Sequence, residues 1–191
     1  MFEELTTFHG HGVALKCWAH WKVLLKWNQK INLTSITSDR QSEQLHYLDS
    51  LQGLPYIIGE RVLDIGSGAG FPGIPLAIAT PTINYTLLEP RRKRVSFLRT
   101  VKSRLGLSNV EIIEGRSTDE VKDRYDTVVT RATFATDDDL TNCLKWVNDC
   151  GSLVLYRAID AETLPGAVRK RYTLNKHVRS LDIINKAIHS P

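Results

Sequence analysis

From Val62 to Gly73 the chain reads Val-Leu-Asp-Ile-Gly-Ser-Gly-Ala-Gly-Phe-Pro-Gly, a stretch built to hold a ligand. Gly66, Gly68 and Gly70 directly follow a short apolar run. Without a Cβ, glycines there let the backbone turn tightly and approach a bound molecule. A dinucleotide fingerprint spaces its glycines GxGxxG and aims helix amides at a pyrophosphate. Here the spacing is GxGxG, and Asp64 stands two residues before the first glycine. That aspartate would repel a pyrophosphate but can attract an ammonium group, directly or through water. Glu89 closes Thr86-Leu87-Leu88-Glu89, 25 positions after Asp64. A carboxylate at a strand end can accept hydrogen bonds from both hydroxyls of a ribose. The competing reading is a structural strand-to-helix turn with an incidental acid.

These residues need a scaffold, and the apolar pattern supplies one. Short apolar runs at Arg61 to Ile65, Ile83 to Leu88, Val110 to Ile113, Tyr125 to Val129 and Ser152 to Tyr156 read as buried strands. Helical stripes lie between them: Val95, Leu98, Val101 and Leu105, then Leu140, Leu144 and Val147. Alternating strands and helices imply a doubly wound, mostly parallel sheet. Two further extended stretches, Tyr172 to Lys176 and Ser180 to Ile184, follow without a clear helix, so an antiparallel edge strand is expected. The fold class is therefore α/β, with seven strands. Residues 1–58 form a helical subdomain and residues 59–191 the sheet domain. Within the former, Ala14, Trp18, Trp21 and Leu25 make one apolar stripe, so Trp18 and Trp21 are core. Ser38 and Gln41 fit a capping box, Leu45, Leu48 and Leu51 carry the next apolar face, and Gly53 and Pro55 end it. Open sheets of this kind bind ligands at the carboxyl ends of their strands, which is where the glycine loop lies.

Asp64, the three loop glycines and Glu89 together resemble the first two motifs of Rossmann-like S-adenosylmethionine methyltransferases. More specific motifs occur in order: Asn32-Leu33-Thr34, His46-Tyr47-Leu48-Asp49-Ser50, Gly66 to Pro75, Arg94-Val95-Ser96-Phe97-Leu98 and Thr130-Arg131-Ala132. Over residues 20–157 the chain resembles the RsmG (GidB) family, bacterial enzymes that methylate guanine N7 in small-subunit (16S) ribosomal RNA. The resemblance implies S-adenosyl-L-methionine as cofactor, with Gly66 and Phe71 along its methionine and ribose. It further implies Glu89, Pro90 and Arg91 at the ribose, Ser117 and Thr118 at the adenine, and Arg131 near the transferring methyl. The chain departs from the family at Ser117-Thr118, where Ala-Glu is common. It also reads Leu155-Tyr156-Arg157-Ala158 where a strand commonly ends Leu-Lys-Gly, and its C-terminal part reads as shortened.

Guanine N7 has a lone pair and no proton, so no general base is required, and none stands out. Arg131, the catalytic candidate, ends the fourth strand, where its guanidinium can meet a guanine edge or a phosphate, or else a surface carboxylate. His46 and Asp49 read either as an RNA-facing pair or as a buried pair fixing the helical segment onto the loop. Arg91 to Arg94, Arg99, Lys102 and Arg104 make a basic helix that, with Lys22, Lys26 and Lys30, can form one phosphate-binding surface.

Composition agrees with a globular protein: 191 residues, 42% hydrophobic and 24% charged. No run reaches the length of a membrane span, and the acidic start Met1-Phe2-Glu3-Glu4 lacks a signal peptide's pattern, so a cytoplasmic location is expected. Cys17, Cys143 and Cys150 contain no CxxC pair, which speaks against a disulfide framework or a zinc site; reduced, packed thiols are expected, and no metal. A net charge of +4 favours an anionic partner, read here as ribosomal RNA or the small ribosomal subunit, bound by a monomer. Three rivals remain: a methyltransferase of another RNA, a small molecule or a protein; a non-catalytic RNA-binding protein on the same fold; and a nicotinamide oxidoreductase, which the glycine spacing and Asp64 fit worst.

Overall fold

The computed structural model describes residues 2–120, 122–131 and 137–186. Ala132 of the strand-end motif and the side chain of Leu140 lie outside the described residues.

Two helices open the chain, α1 (Glu3–His9) and α2 (His11–Asn28), broken at Gly10 by its left-handed φ of +84°. Ala14, Cys17, Trp21 and Leu24 of α2 are fully buried, and the half-buried Trp18 meets Phe2 edge-on at 5.1 Å. Both tryptophans thus pack in the core as the stripe requires. After α2, Asn28 fixes the turn that follows: its Oδ1 accepts from the amides of Leu33 (2.8 Å) and Thr34 (3.0 Å). Ser38 then caps α3 (Asp39–Ser42) by accepting from the Gln41 amide at 3.3 Å. The helix continues as a π-helical segment, Glu43–Leu48, and closes as α4 (Asp49–Leu51). Such wide turns are rare and concentrate at functional sites. Here it carries His46.

The strands are β1 (Arg61–Ile65), β2 (Asn84–Glu89), β3 (Val110–Glu114), β4 (Tyr125–Arg131), β5 (Val147–Ala158), β6 (Val168–Leu174) and β7 (His177–Asn185). They form one sheet in the order β3-β2-β1-β4-β5-β7-β6, parallel except where β7 pairs with β5 and β6. The expected antiparallel edge is therefore a hairpin, with β7 inserted between β5 and β6. The helices α5 (Gly73–Ala79), α6 (Arg92–Leu105) and α7 (Asp137–Leu144) complete the crossovers. Phe2, Leu5, Trp21 and Leu24 share one buried cluster with Val62, Phe71, Phe97 and Val101, so the N-terminal helices and the sheet bury a common core.

Three local expectations need correction. Val147 is not the end of a helical stripe but the first residue of β5, opposite Tyr125, and α7 stops at Leu144. Between them and the regular pairing at Ser152, the ladder slips at a bulge where Cys150 has φ +62°. Cys150 is accordingly exposed rather than packed, whereas Cys17 and Cys143 are buried. Finally, Tyr172 to Lys176 is not continuous strand: β6 ends at Leu174, and Asn175 (φ +54°) begins the tight turn into β7. Asn tolerates that left-handed conformation better than most residues, which makes it a hairpin signal.

Candidate active site

The loop after β1 is tied to β2 at its base. The amides of Gly66 and Ser67 donate to the Leu88 carbonyl at 2.8 and 3.2 Å, and Ser67 Oγ donates to the Asp64 carbonyl at 3.0 Å. Gly68 takes φ +57° and leaves its amide facing Glu89, whose Oε2 accepts from it at 2.9 Å. Glu89 Oε1 accepts from the Arg91 amide, also at 2.9 Å. One buried carboxylate thereby joins the glycine loop to the turn that starts α6. At the far side, Trp146 Nε1 donates to the Ser117 carbonyl at 2.9 Å and holds the loop after β3.

Between these loops lies an open cavity of about 730 Å³ at the carboxyl ends of β1, β2 and β3. Of the residues singled out from sequence, Gly66, Gly68, Phe71, Glu89, Pro90, Arg91, Ser117, Thr118 and Arg131 all line it. Asp64 and Gly70 do not. Asp64 is fully buried beneath the loop, where its Oδ2 accepts from the Gly73 amide at 3.0 Å. Burial, opposed in part by that amide, pushes its carboxyl up to about 7. Its Oδ1 has no hydrogen-bond partner among the described residues, so any contact with a ligand on the cavity wall runs through the loop or a water. Gly70 (φ +88°) serves packing: a Cβ there would lie 2.6 Å from Ile74 Cγ1 of α5.

Sequence reasoning missed several walls of this cavity. Leu33 arrives through the turn fixed by Asn28, Arg94 comes from the basic helix, and Asp139 comes from α7. His46 also lines it, stacked on Phe71 with ring centroids 4.5 Å apart and planes 17° from parallel.

Arg131 is held by the helical segment. Its Nη1 donates to Asp49 Oδ2 (3.1 Å) and the Leu45 carbonyl (3.2 Å), and its Nη2 to His46 Nδ1 (3.4 Å). The guanidinium lies 5.0 Å from the Phe71 ring centroid. Because arginine only donates, His46 Nδ1 must be the accepting nitrogen, which leaves Nε2–H to donate to Thr34 Oγ1 at 2.9 Å. Burial, with the Arg131 charge second, pushes the His46 imidazolium down to about 3, so the ring is neutral near pH 7. His46 and Asp49 are thus joined through Arg131 and dock the helical segment on the end of β4. Asp49 is buried and His46 half-buried, and both meet the strand-end arginine.

A second cavity of about 540 Å³ adjoins the first at the ends of β4 and β5, and His46 and Arg131 line both. The basic residues expected on one surface are partly gathered: Lys22, Lys26, Lys30 and Arg104 line neighbouring hollows between α2 and α6. Among the described residues no helix is long and apolar enough to cross a membrane, and no cluster of His, Cys, Asp and Glu is placed to hold a metal ion.

The family model described as rRNA small subunit methyltransferase G matches residues 16–187. The chain belongs to this GidB family. It is 38% identical over 153 residues to the ribosomal RNA small subunit methyltransferase G of Clostridium beijerinckii, covering 75% of this chain and 64% of that one. The Coxiella burnetii protein of the same name is 50% identical over 93 residues, covering 49% of this chain and 46% of its own. The GidB-family chain described here therefore spans less than two thirds of the length of these relatives. Among solved structures, the S-adenosylmethionine-dependent methyltransferase SibL superposes with a TM-score of 0.64 at 13% identity, over 96% of this chain and 72% of that one. That likeness establishes the Rossmann-like methyltransferase fold.

Proposed function

We propose that the chain transfers a methyl group from S-adenosyl-L-methionine to N7 of a guanine in small-subunit (16S) ribosomal RNA. The observation that carries this reading is the pair of adjoining cavities with Arg131 and His46 in the wall between them. Membership of the GidB family and the cations around the second cavity favour an RNA acceptor over a small molecule.

The larger cavity suits the cofactor. Glu89, already accepting two amides, retains lone pairs that would take ribose hydroxyls, while the loop amides and Phe71 would border the methionine end and Ser117 and Thr118 the adenine end. Asp64, with an unpartnered Oδ1, puts a carboxyl behind the loop where a cationic amino acid moiety would favour its ionised form. When bound, the cofactor supplies an electrophilic sulfonium methyl.

The chain's residues then act by orientation. N7 attacks with its own lone pair, so no residue has to take a proton before the methyl moves, and the absence of a general base in the sequence motifs is consistent with this. Arg131, pinned by Asp49, His46 and Leu45, presents a rigid guanidinium at the boundary where acceptor and methyl must meet. Rigidity matters because misplacement of about 1 Å costs about 10²-fold in rate. We further propose that the protein acts in the cytoplasm as a monomer on ribosomal RNA or the small subunit, and that residues 1–58 serve as a subdomain positioning the acceptor side.

The test is incorporation of labelled methyl from S-adenosylmethionine into small subunits lacking the modification. Label recovered in the RNA fraction supports the reading. Label recovered only in protein, or none despite cofactor binding, contradicts it.

A further inference from the structure

The cavity next to the cofactor site has more positive charge than its own carboxylates can neutralise. Arg131, Arg157 and Arg179 line it, and among the described lining residues Asp49 is the one carboxylate. Asp49 already has two close partners, Arg131 Nη1 at 3.1 Å and the Tyr172 hydroxyl, which donates at 2.8 Å. Arg179 stands further off, its Nε 3.6 Å from Asp49 Oδ1. Asp182, buried behind the cavity, shows the same pattern: Arg169 grips it through Nε at 2.7 Å and Nη2 at 2.8 Å. Arg157 Nε is left at 3.9 Å. Four guanidiniums therefore share two carboxylates, and the two held at long range are Arg157 and Arg179. The Nε atom of each is buried and makes no hydrogen bond among the described residues. Burying such donors unsatisfied is costly, so the carboxylates fix these two side chains less firmly than Arg131 and Arg169.

We propose that Arg157 and Arg179 bind the two phosphodiesters flanking an RNA nucleotide extruded into this cavity. The inference rests on the RNA-methyltransferase reading and adds where the acceptor sits and what holds it. Enzymes that modify a base take it out of the stack, and an extruded nucleotide remains flanked by one phosphate on each side, each a single negative charge. Two surplus cations match two such anions, and guanidinium–phosphate contacts are charge-assisted and directional. A volume of about 540 Å³ is in the range that encloses a small organic ligand. Arg131 and His46 line both cavities, so a base placed here borders the cofactor cavity. The two arginines come from the end of β5 and the start of β7, adjacent strands paired so that Arg157 faces Ser180 and Ala158 faces Arg179. The hairpin that inserts β7 beside β5 is what brings them together.

The test measures methyl transfer to unmodified small subunits by the full chain and by Arg157→Gln, Arg179→Gln and the double variant, across a salt series. Glutamine retains hydrogen-bonding capacity while removing charge. Each single change should raise KM for the subunit about tenfold and lower the slope of log KM against log salt by about 0.7, with the double variant losing about twice that. Cofactor affinity should stay within twofold, and Arg157→Lys with Arg179→Lys should restore the slope. An unchanged KM and slope, or lost activity with an unchanged slope, overturns the assignment and makes the arginines structural partners of Asp49 and Asp182. If the unaltered chain modifies no small-subunit RNA, the functional reading falls along with the pocket.

Discussion

Asp49 joins the helical segment to β4, β6 and β7 through Arg131, Tyr172 and Arg179, and its replacement by asparagine is a sharp perturbation of that junction. The carboxylate is 2% exposed, accepts from Arg131 at 3.1 Å and Tyr172 at 2.8 Å, and has the Arg179 guanidinium 3.6 Å away. An asparagine side chain in its place keeps the volume but removes the charge and offers a single acceptor oxygen to the two hydrogen-bond donors, Arg131 and Tyr172. Breaking a buried pair by removing one member costs about 3–5 kcal/mol, because the partner's charge stays buried. Arg179 is partly exposed and lies at longer range, which lowers the expectation to about 3 kcal/mol. For a chain of 191 residues that corresponds to a fall in Tm of about 6–12 °C. Thermal and urea unfolding of Asp49→Asn, Arg131→Gln and the double variant would close a thermodynamic cycle. Arg131 and Asp49 should couple by at least about 1.5 kcal/mol, so that the double variant is less destabilised than the sum of the singles. Coupling below about 0.5 kcal/mol would refute the claim that Asp49 exists to hold Arg131.

Glu89→Ala removes the acceptor of the Gly68 and Arg91 amides together with the proposed ribose contact, and should weaken S-adenosylmethionine binding by about 10²-fold or more in calorimetry. Gly70→Ala must hold φ +88° with a Cβ 2.6 Å from Ile74, and should lose about 2–4 kcal/mol in urea unfolding. His46, pushed down to about 3 when folded against 6.5 unfolded, takes up its proton more readily in the unfolded chain. Its contribution to stability is therefore full above about pH 6.5 and lost as pH falls towards 3. His46→Gln should show a shallower loss of stability than the unaltered chain between about pH 6.5 and 4, measured by urea midpoints at fixed salt.

The parts of the fold read correctly from sequence are those whose signal is local. β1 stands out because five residues, Arg61 to Ile65, are followed at once by glycines, and Glu89 because it ends an apolar run at the expected strand end. The failures share a different cause. Leu140, Leu144 and Val147 have helical spacing, but the bulge at Cys150 and the pairing of Val147 with Tyr125 are set by the neighbouring strand, which no local period records. Asn175 did carry a turn signal inside a run that otherwise reads as strand. For the site, residue type and position were enough to place Gly66, Gly68, Glu89 and Arg131 at the strand ends where the cavity lies. The roles of His46 and Asp49 were not legible, since the π-helical segment and the long-range contact to Arg131 decide where they point. Arg94 was hidden in a run of basic residues, and nothing in the sequence singled out Asp139.

Arg131 between the two cavities is the centre of the functional reading, and mapping the methylated nucleotide tests it most directly. Small subunits lacking the modification would be treated with S-adenosylmethionine and either the unaltered chain or Arg131→Ala, and the RNA cleaved chemically at N7-methylguanine. The expected result is cleavage at one guanine of the 16S RNA with the unaltered chain, lost by a factor of about 10² or more with Arg131→Ala while cofactor affinity persists. Cleavage of equal strength in the variant, or methylation at no guanine N7, would contradict it.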